Sequence, residues 1–156
     1  MKTTAAVAGL AVMLMACGGD KSKDSMAMDS TSAMTPAPAP AMAMGATHNV
    51  NMVLEGTTYK FVPSELSVKV GDQVVFHNIS GGPHNVQFYA DSIPAGAQAM
   101  IDPQLKDGLG PLSSMLVTEP NATIAVSFAG APVGVYGFTC TPHMAMKMNG
   151  KITVAQ

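Results

Sequence analysis

The chain has 156 residues, and eight lysines with no arginine against ten acidic residues leave a formal net charge of only −2. Nothing in it resembles the basic stripe that nucleic-acid binding needs, or a polybasic segment for anionic headgroups, so nucleic acid is excluded as a partner. Ser/His/Asp arrangements, paired carboxylates and phosphate-cradling glycine loops are also missing, and the chain is read as no enzyme.

Met1 to Ala16 carries one charge, Lys2, and then twelve apolar or small residues from Ala5 to Ala16. That run fits the core of a signal peptide and is too short to span a bilayer, which predicts an export signal over 1–16. Leu14-Met15-Ala16-Cys17 resembles a bacterial lipobox, where the signal is cut before the cysteine and the thiol is acylated. Gly18, rather than Asp, follows it; by the sorting rule of such lipoproteins this favours the outer membrane, with the domain facing the periplasm or exterior. The membrane is then met through the lipid on Cys17 only. The remaining cysteine, Cys140, becomes a lone thiol in an oxidising compartment, where it needs protection or a task.

Gly18 to Thr47 holds thirty residues without a single Val, Ile, Leu, Phe or Tyr. Such a segment cannot bury a core, so 17–47 is read as the lipidated cysteine and a disordered tether. A coil of this length holds the following domain roughly 30 Å from its anchor. The pairs Met26/Met28 and Met42/Met44 within it are soft thioethers of the kind that bind cuprous ion.

From His48 to Gln156 the pattern changes to short alternating runs between turn residues, the mark of an all-β sandwich or barrel. Eight strands are expected: Asn49 to Leu54, Tyr59 to Phe61, Leu66 to Val70, Gln73 to Asn78, Asn85 to Tyr89, Thr123 to Phe128, Val135 to Cys140 and Lys151 to Val154. Gly71-Asp72 predicts a hairpin turn, with Leu66, Val68 and Val70 on one face beside Val74 and Phe76. Ala90 to Asn121 breaks the pattern, with no alternation until Ser114 to Val117. The triplets at Asn78 and Asn121 match the glycosylation acceptor and are read as chance.

The informative stretch is Gly134 to Val154. Tyr136, Phe138 and Cys140 alternate with Val135, Gly137 and Thr139, which puts the thiol on the core side at a strand end. His143 follows three residues later, Met148 five beyond that, and a new strand starts after Gly150. A thiolate, an imidazole and a thioether on one loop form a soft, mixed donor set that suits copper better than calcium or magnesium. Taken singly, each has a bland reading as core filler or a structural histidine; the spacing gives them joint meaning. Met144, Met146 and Met148 share one parity, and pattern alone does not choose among them.

C-T-P-H with Met148 in the spacing C-x2-H-x4-M, Y-x-F before it and G-K-I-T-V after it closely resembles the plastocyanin and pseudoazurin group of blue copper proteins, the cupredoxins. Phe61 to Phe76 is also similar to the family's opening strands, so the resemblance covers nearly all of 48–156. It implies an eight-stranded Greek-key sandwich with a short helix, around Pro94 to Met100, in the long connection after the fifth strand. It also implies a second histidine ligand from a P-H-N-V turn, here Pro83-His84-Asn85-Val86, and Met148 as the axial methionine. The implied site is one type 1 copper on His84, Cys140, His143 and Met148, with Asn85 tying the ligand turn to the cysteine loop. His48 and His77 are given no copper role.

A saturated copper of this kind leaves no position for substrate, so the resemblance implies a one-electron carrier. Thr139 stands where photosynthetic plastocyanins often have Tyr, and no acidic cluster is evident. The expected partners are therefore a c-type cytochrome or a terminal reductase or oxidase meeting an apolar patch at the edge of His143, with the carrier a monomer. The alternative is copper delivery through the Met-rich segments.

Overall fold

A computed structural model of the chain describes residues 45–105 and 107–156. The signal, Cys17 and the tether as far as residue 44 lie outside the described residues.

Among the described residues, eight strands form two sheets of four. The first sheet runs in the order β2 (Thr58–Val62), β1 (Thr47–Glu55), β4 (Gln73–Asn78), β6 (Thr123–Ser127). The second runs β3 (Glu65–Lys69), β8 (Asn149–Ala155), β7 (Gly134–Thr139), β5 (Gln87–Phe88). β1 and β4 are parallel, as are β3 and β8, and the remaining pairs are antiparallel. Alternate residues of both sheets face each other. Val50 and Met52, Phe61, Val68, Val74 and Phe76, Ile124 and Val126, Phe138, and Ile152 are all buried. Each such side chain contributes about 1.5–3 kcal/mol by leaving water. Phe138 is the centre of this core, with ring centroids 4.8 Å from Phe61, 5.3 Å from Phe76 and 6.0 Å from Phe88.

The eight-stranded sandwich agrees with the expectation, whereas five local readings differ. β3 and β4 are not a hairpin: β3 pairs with β8 and β4 with β1 and β6, so Gly71-Asp72 carries the chain from one sheet to the other. Two strands on facing sheets show the same inward alternation as two strands of one sheet, so periodicity cannot separate the cases. Val70, expected on the core face, is 38% exposed because the strand has ended before it. β5 shortens to two residues, Gln87 and Phe88: the segment before it pairs with the long connection instead, His84 bridging to Val117 and Val86 O accepting from Ser114 N–H.

The helix α1 is Ala97–Ile101, displaced towards the C-terminus from Pro94 to Met100 and flanked by 3-10 turns at Ala90–Ser92 and Asp102–Gln104. It is Ala97 and Ile101, four apart on one face, that are buried. Finally, ordered structure starts before His48. Thr47 opens β1, Gly45 N–H donates to Gly71 O at 3.1 Å, and Ala46 N–H donates to Asp72 Oδ1 at 2.8 Å.

Register assigns functions to the two ends of the sandwich. β1 and β4 both start beside Asp72 and run towards Asn78, while β7 ends and β8 begins at the Thr139–Asn149 pair. The turn holding His84 and the loop from Cys140 to Met148 thus share the end remote from Asp72.

Candidate metal centre

Cys140 is the first residue past β7, and its N–H donates to Met148 O at 3.0 Å, so the loop closes on itself where it leaves the sandwich. Between them Thr141–Met146 forms 3-10 turns with Pro142 near their start, where a missing N–H costs nothing. His143 N–H donates to Cys140 O at 3.1 Å, and Met148 N–H to His143 O at 3.3 Å. Lys147, at φ 61°, reverses the chain before β8. His84 enters from the other sheet's connection, fixed by a reciprocal backbone pair with Val117 at 3.0 and 2.8 Å.

These frames bring three ligand atoms together. Nδ1 of His84 lies 3.5 Å from Cys140 Sγ, and Nδ1 of His143 lies 3.3 Å from it. All three atoms fall within 4.8 Å of one another, and all three residues are buried. Nε2 of His84 is 2.9 Å from Ser80 O, a bond it makes only as donor, which leaves Nδ1 with its lone pair turned to the thiol.

Met148, on the same loop, is fully buried, whereas Met144 and Met146 are 45% and 47% exposed. Parity could not choose among these three; burial separates Met148 from the other two. Asn85 spans the two loops: Oδ1 accepts from Thr141 N–H at 2.7 Å, and Nδ2 donates to Thr141 Oγ1 and to Ser113 Oγ, each at 3.1 Å. His48 and His77 are elsewhere, on Asp72 and Asn49 respectively.

Burial sets the electrostatics of all three groups. Burial pushes the Cys140 thiol above its ordinary range, partly offset by the N–H groups of Asn85 and His143. Burial likewise lowers His84, against the raising effect of its bond to Ser80, and lowers His143, which is further depressed by His84. At neutral pH the metal-free protein therefore holds two neutral imidazoles and one neutral thiol aimed at each other. His84, Cys140 and His143 would offer a soft metal two nitrogen donors and one sulfur donor, the set that suits copper, once the thiol proton is lost.

One aromatic residue at the site escaped the sequence reading. Tyr59 of β2 stacks on the His143 ring with centroids 3.7 Å apart and planes 14° from parallel. Tyr59 shares the strand parity of buried Phe61, but nothing local to β2 points to a loop more than eighty residues away. The edge of His143 expected as a meeting point for partners is consequently small, with the residue only 6% exposed.

A β-sandwich that closes a thiol and two imidazoles over one end is the architecture of the cupredoxins. The family model "copper binding proteins, plastocyanin/azurin family" matches residues 48–155, and the chain belongs to that family. It is similar to a minor plastocyanin isoform of Arabidopsis thaliana, with 41% identity over 98 residues, 60% of this chain and 50% of that protein. Plastocyanin of Rumex obtusifolius is 36% identical over 94 residues, 60% of this chain and 86% of the relative.

Among solved structures, oxidised plastocyanin of Dryopteris crassirhizoma gives a TM-score of 0.52 at 31% identity, covering 69% of this chain and 99% of that one. Pseudoazurin of Hyphomicrobium denitrificans, at 24% identity and TM-score 0.50 over 71% of this chain and 77% of its own, shares the fold. The match thus spans about half the length of the Arabidopsis relative. The family and the His-Cys-His cluster are together consistent with one type 1 copper.

Proposed function

We propose that the chain is a one-electron carrier, with one type 1 copper that His84, Cys140, His143 and Met148 would hold. The observation that carries this reading is the convergence of Nδ1, Sγ and Nδ1 within 4.8 Å at a buried point. Copper there supplies a centre that gains and loses one electron with little change in its surroundings. The protein's part is to keep those surroundings still: Ser80 orients His84, Asn85 pins Thr141 beside Cys140, and the sandwich holds the two loops at a set distance. Saturated ligation with no substrate position supports a carrier over an enzyme.

Cys17 is proposed to carry a lipid after removal of 1–16, and the segment up to the domain to act as a tether, with the outer membrane favoured and the domain outside the cytoplasm. No helix among the described residues is long and apolar enough to cross a membrane. The proposed partners are a c-type cytochrome or a terminal reductase or oxidase, met by a monomer. Copper delivery is the second reading, supported by the exposed thioethers of Met144 and Met146.

The visible spectrum of the purified domain with added copper tests both. An intense blue band that bleaches reversibly with reductant is expected of the carrier. A colourless Cu(I) complex means delivery, and no retained copper refutes the site.

A further inference from the structure

Of the two histidines that converge on Cys140, only His84 is oriented by a hydrogen bond through its outer nitrogen. Among the described residues none accepts a hydrogen bond from Nε2 of His143. Its backbone, at φ −112° and ψ 17°, interrupts the 3-10 turns on which it sits, so the loop alone is a poor clamp for the ring. What touches the imidazole plane is Tyr59, face to face at 3.7 Å, and the same phenol meets the His84 ring edge-on at 6.2 Å.

Tyr59 is well placed to hold another group. It pairs with Leu54 in the β1–β2 ladder, and two residues on, Phe61 is locked in the core against Phe76 and Phe138. Gly81, at φ 77°, leaves the space the phenol uses: a Cβ there would collide with Leu54 and lie 3.1 Å from Tyr59 Cε1. Tyr59 belongs to the first sheet and His143 to a loop of the second, so their stack joins the two sheets across the mouth of the site.

We propose that Tyr59 is the positioning residue for His143, doing by ring stacking what the Ser80 carbonyl does for His84, and that it biases the site towards its more oxidised state. The bias follows from the quadrupole of the phenol, whose negative face favours a ring carrying more positive charge. An imidazole bound to Cu(II) gives up more electron density than one bound to Cu(I). The stack therefore stabilises the oxidised form more. The inference rests on His143 being a ligand, as proposed above.

The test compares Tyr59→Phe, which keeps the ring, with Tyr59→Leu, which removes it; Tyr59→Ile is a second ring-free variant suited to a strand should leucine not fold. In the metal-free full domain, NMR reads the ring-current displacement of the His143 imidazole protons. In the copper-loaded domain, titration against a redox mediator reads the oxidised-to-reduced ratio. Tyr59→Phe should leave both readouts as in the parent. The ring-free variants should lose the ring-current displacement and shift the ratio about threefold towards the reduced form. Loss of the displacement with an unchanged ratio overturns the electronic bias. Retention of the displacement in the ring-free variants, or a Phe variant that behaves like them, overturns the positioning role. A parent domain that takes up no copper refutes the copper reading instead, and the metal-free spectra still decide whether Tyr59 orients His143.

Discussion

The two ends of the sandwich each set a histidine beside a group that can lose a proton, half-buried His48 beside Asp72 and buried His84 and His143 beside Cys140, and they use it in opposite ways. At one end Asp72 is satisfied completely: its carboxylate accepts from the N–H groups of Lys69 and Ala46 and faces His48 Nε2 at 2.8 Å. Those contacts, led by Lys69 and His48, hold the carboxyl below its usual range. At the other end His84, His143 and Cys140 face one another, and burial moves the two imidazoles and the thiol towards their neutral forms. The Asp72 end is a finished hydrogen-bonded knot that anchors the start of β1. At the Cys140 end both Nδ1 atoms meet one sulfur, at 3.5 and 3.3 Å, so three donors of the kind a soft metal takes share a single point. Convergence of soft, neutral donors on one atom distinguishes this end from the charged, backbone-bonded carboxylate at the other.

The largest expected effect is at Cys140. Cys140→Ser should abolish the blue band altogether while leaving a folded sandwich, at a cost of about 1–3 kcal/mol for burying a hydroxyl. Retained colour in the visible spectrum contradicts the ligand assignment. The same neutral-thiol argument expects Cu(II) uptake at pH 7 to release about one proton per ion, since both imidazoles are already unprotonated. Calorimetry in buffers of different ionisation enthalpy measures this, and release near zero would mean a thiolate already present.

A smaller effect tests the loop itself. Met148→Leu should raise the reduction potential and Met148→Gln lower it, because a weaker axial donor favours Cu(I) and a harder one favours Cu(II). The same changes at the exposed Met146 should move it several-fold less. Voltammetry on the four variants is decisive, and a larger shift at Met146 transfers the axial role there.

The opposite end should respond in stability rather than colour. A carboxylate with a lowered folded pKa contributes in full above its unfolded pKa, near 4, and loses that contribution as pH falls through the folded value. Asp72→Asn should thus lower the denaturation midpoint more at pH 7 than at a pH acid enough to protonate the folded carboxyl, and leave the blue band alone. Equal destabilisation at both pH values argues against the carboxylate as the cause. Smallest of all, deleting 18–44 should leave the midpoint unchanged. Extending the deletion through Thr47 removes the Gly45–Gly71 and Gln73–Ala46 backbone bonds and should cost about 1–2 kcal/mol. Identical midpoints for the two deletions would place Gly45 to Thr47 back in the tether.

Legibility followed the range of the interactions. Strand existence is a local property: the alternation of half-buried and buried residues over Gln73–Asn78 is visible in six residues, and seven of the eight strands lie close to where alternation puts them. The donor-rich loop from Cys140 to Met148 was legible for the same reason, since its chemistry and spacing are contiguous. His84 was not derivable from its own surroundings. It entered through family resemblance, because a partner fifty-six residues away leaves no periodic trace.

Sequence alone determined, then, that this is an all-β domain with a soft donor set on one loop, because inward alternation and donor identity belong to short stretches of chain. Tertiary structure decided which strands face across the core rather than pair, that Met148 alone of three equivalent methionines is buried, and that Tyr59 lies flat on His143. Each of these depends on how two separate segments meet. Packing specifies such a meeting, and the same local pattern is compatible with many of them.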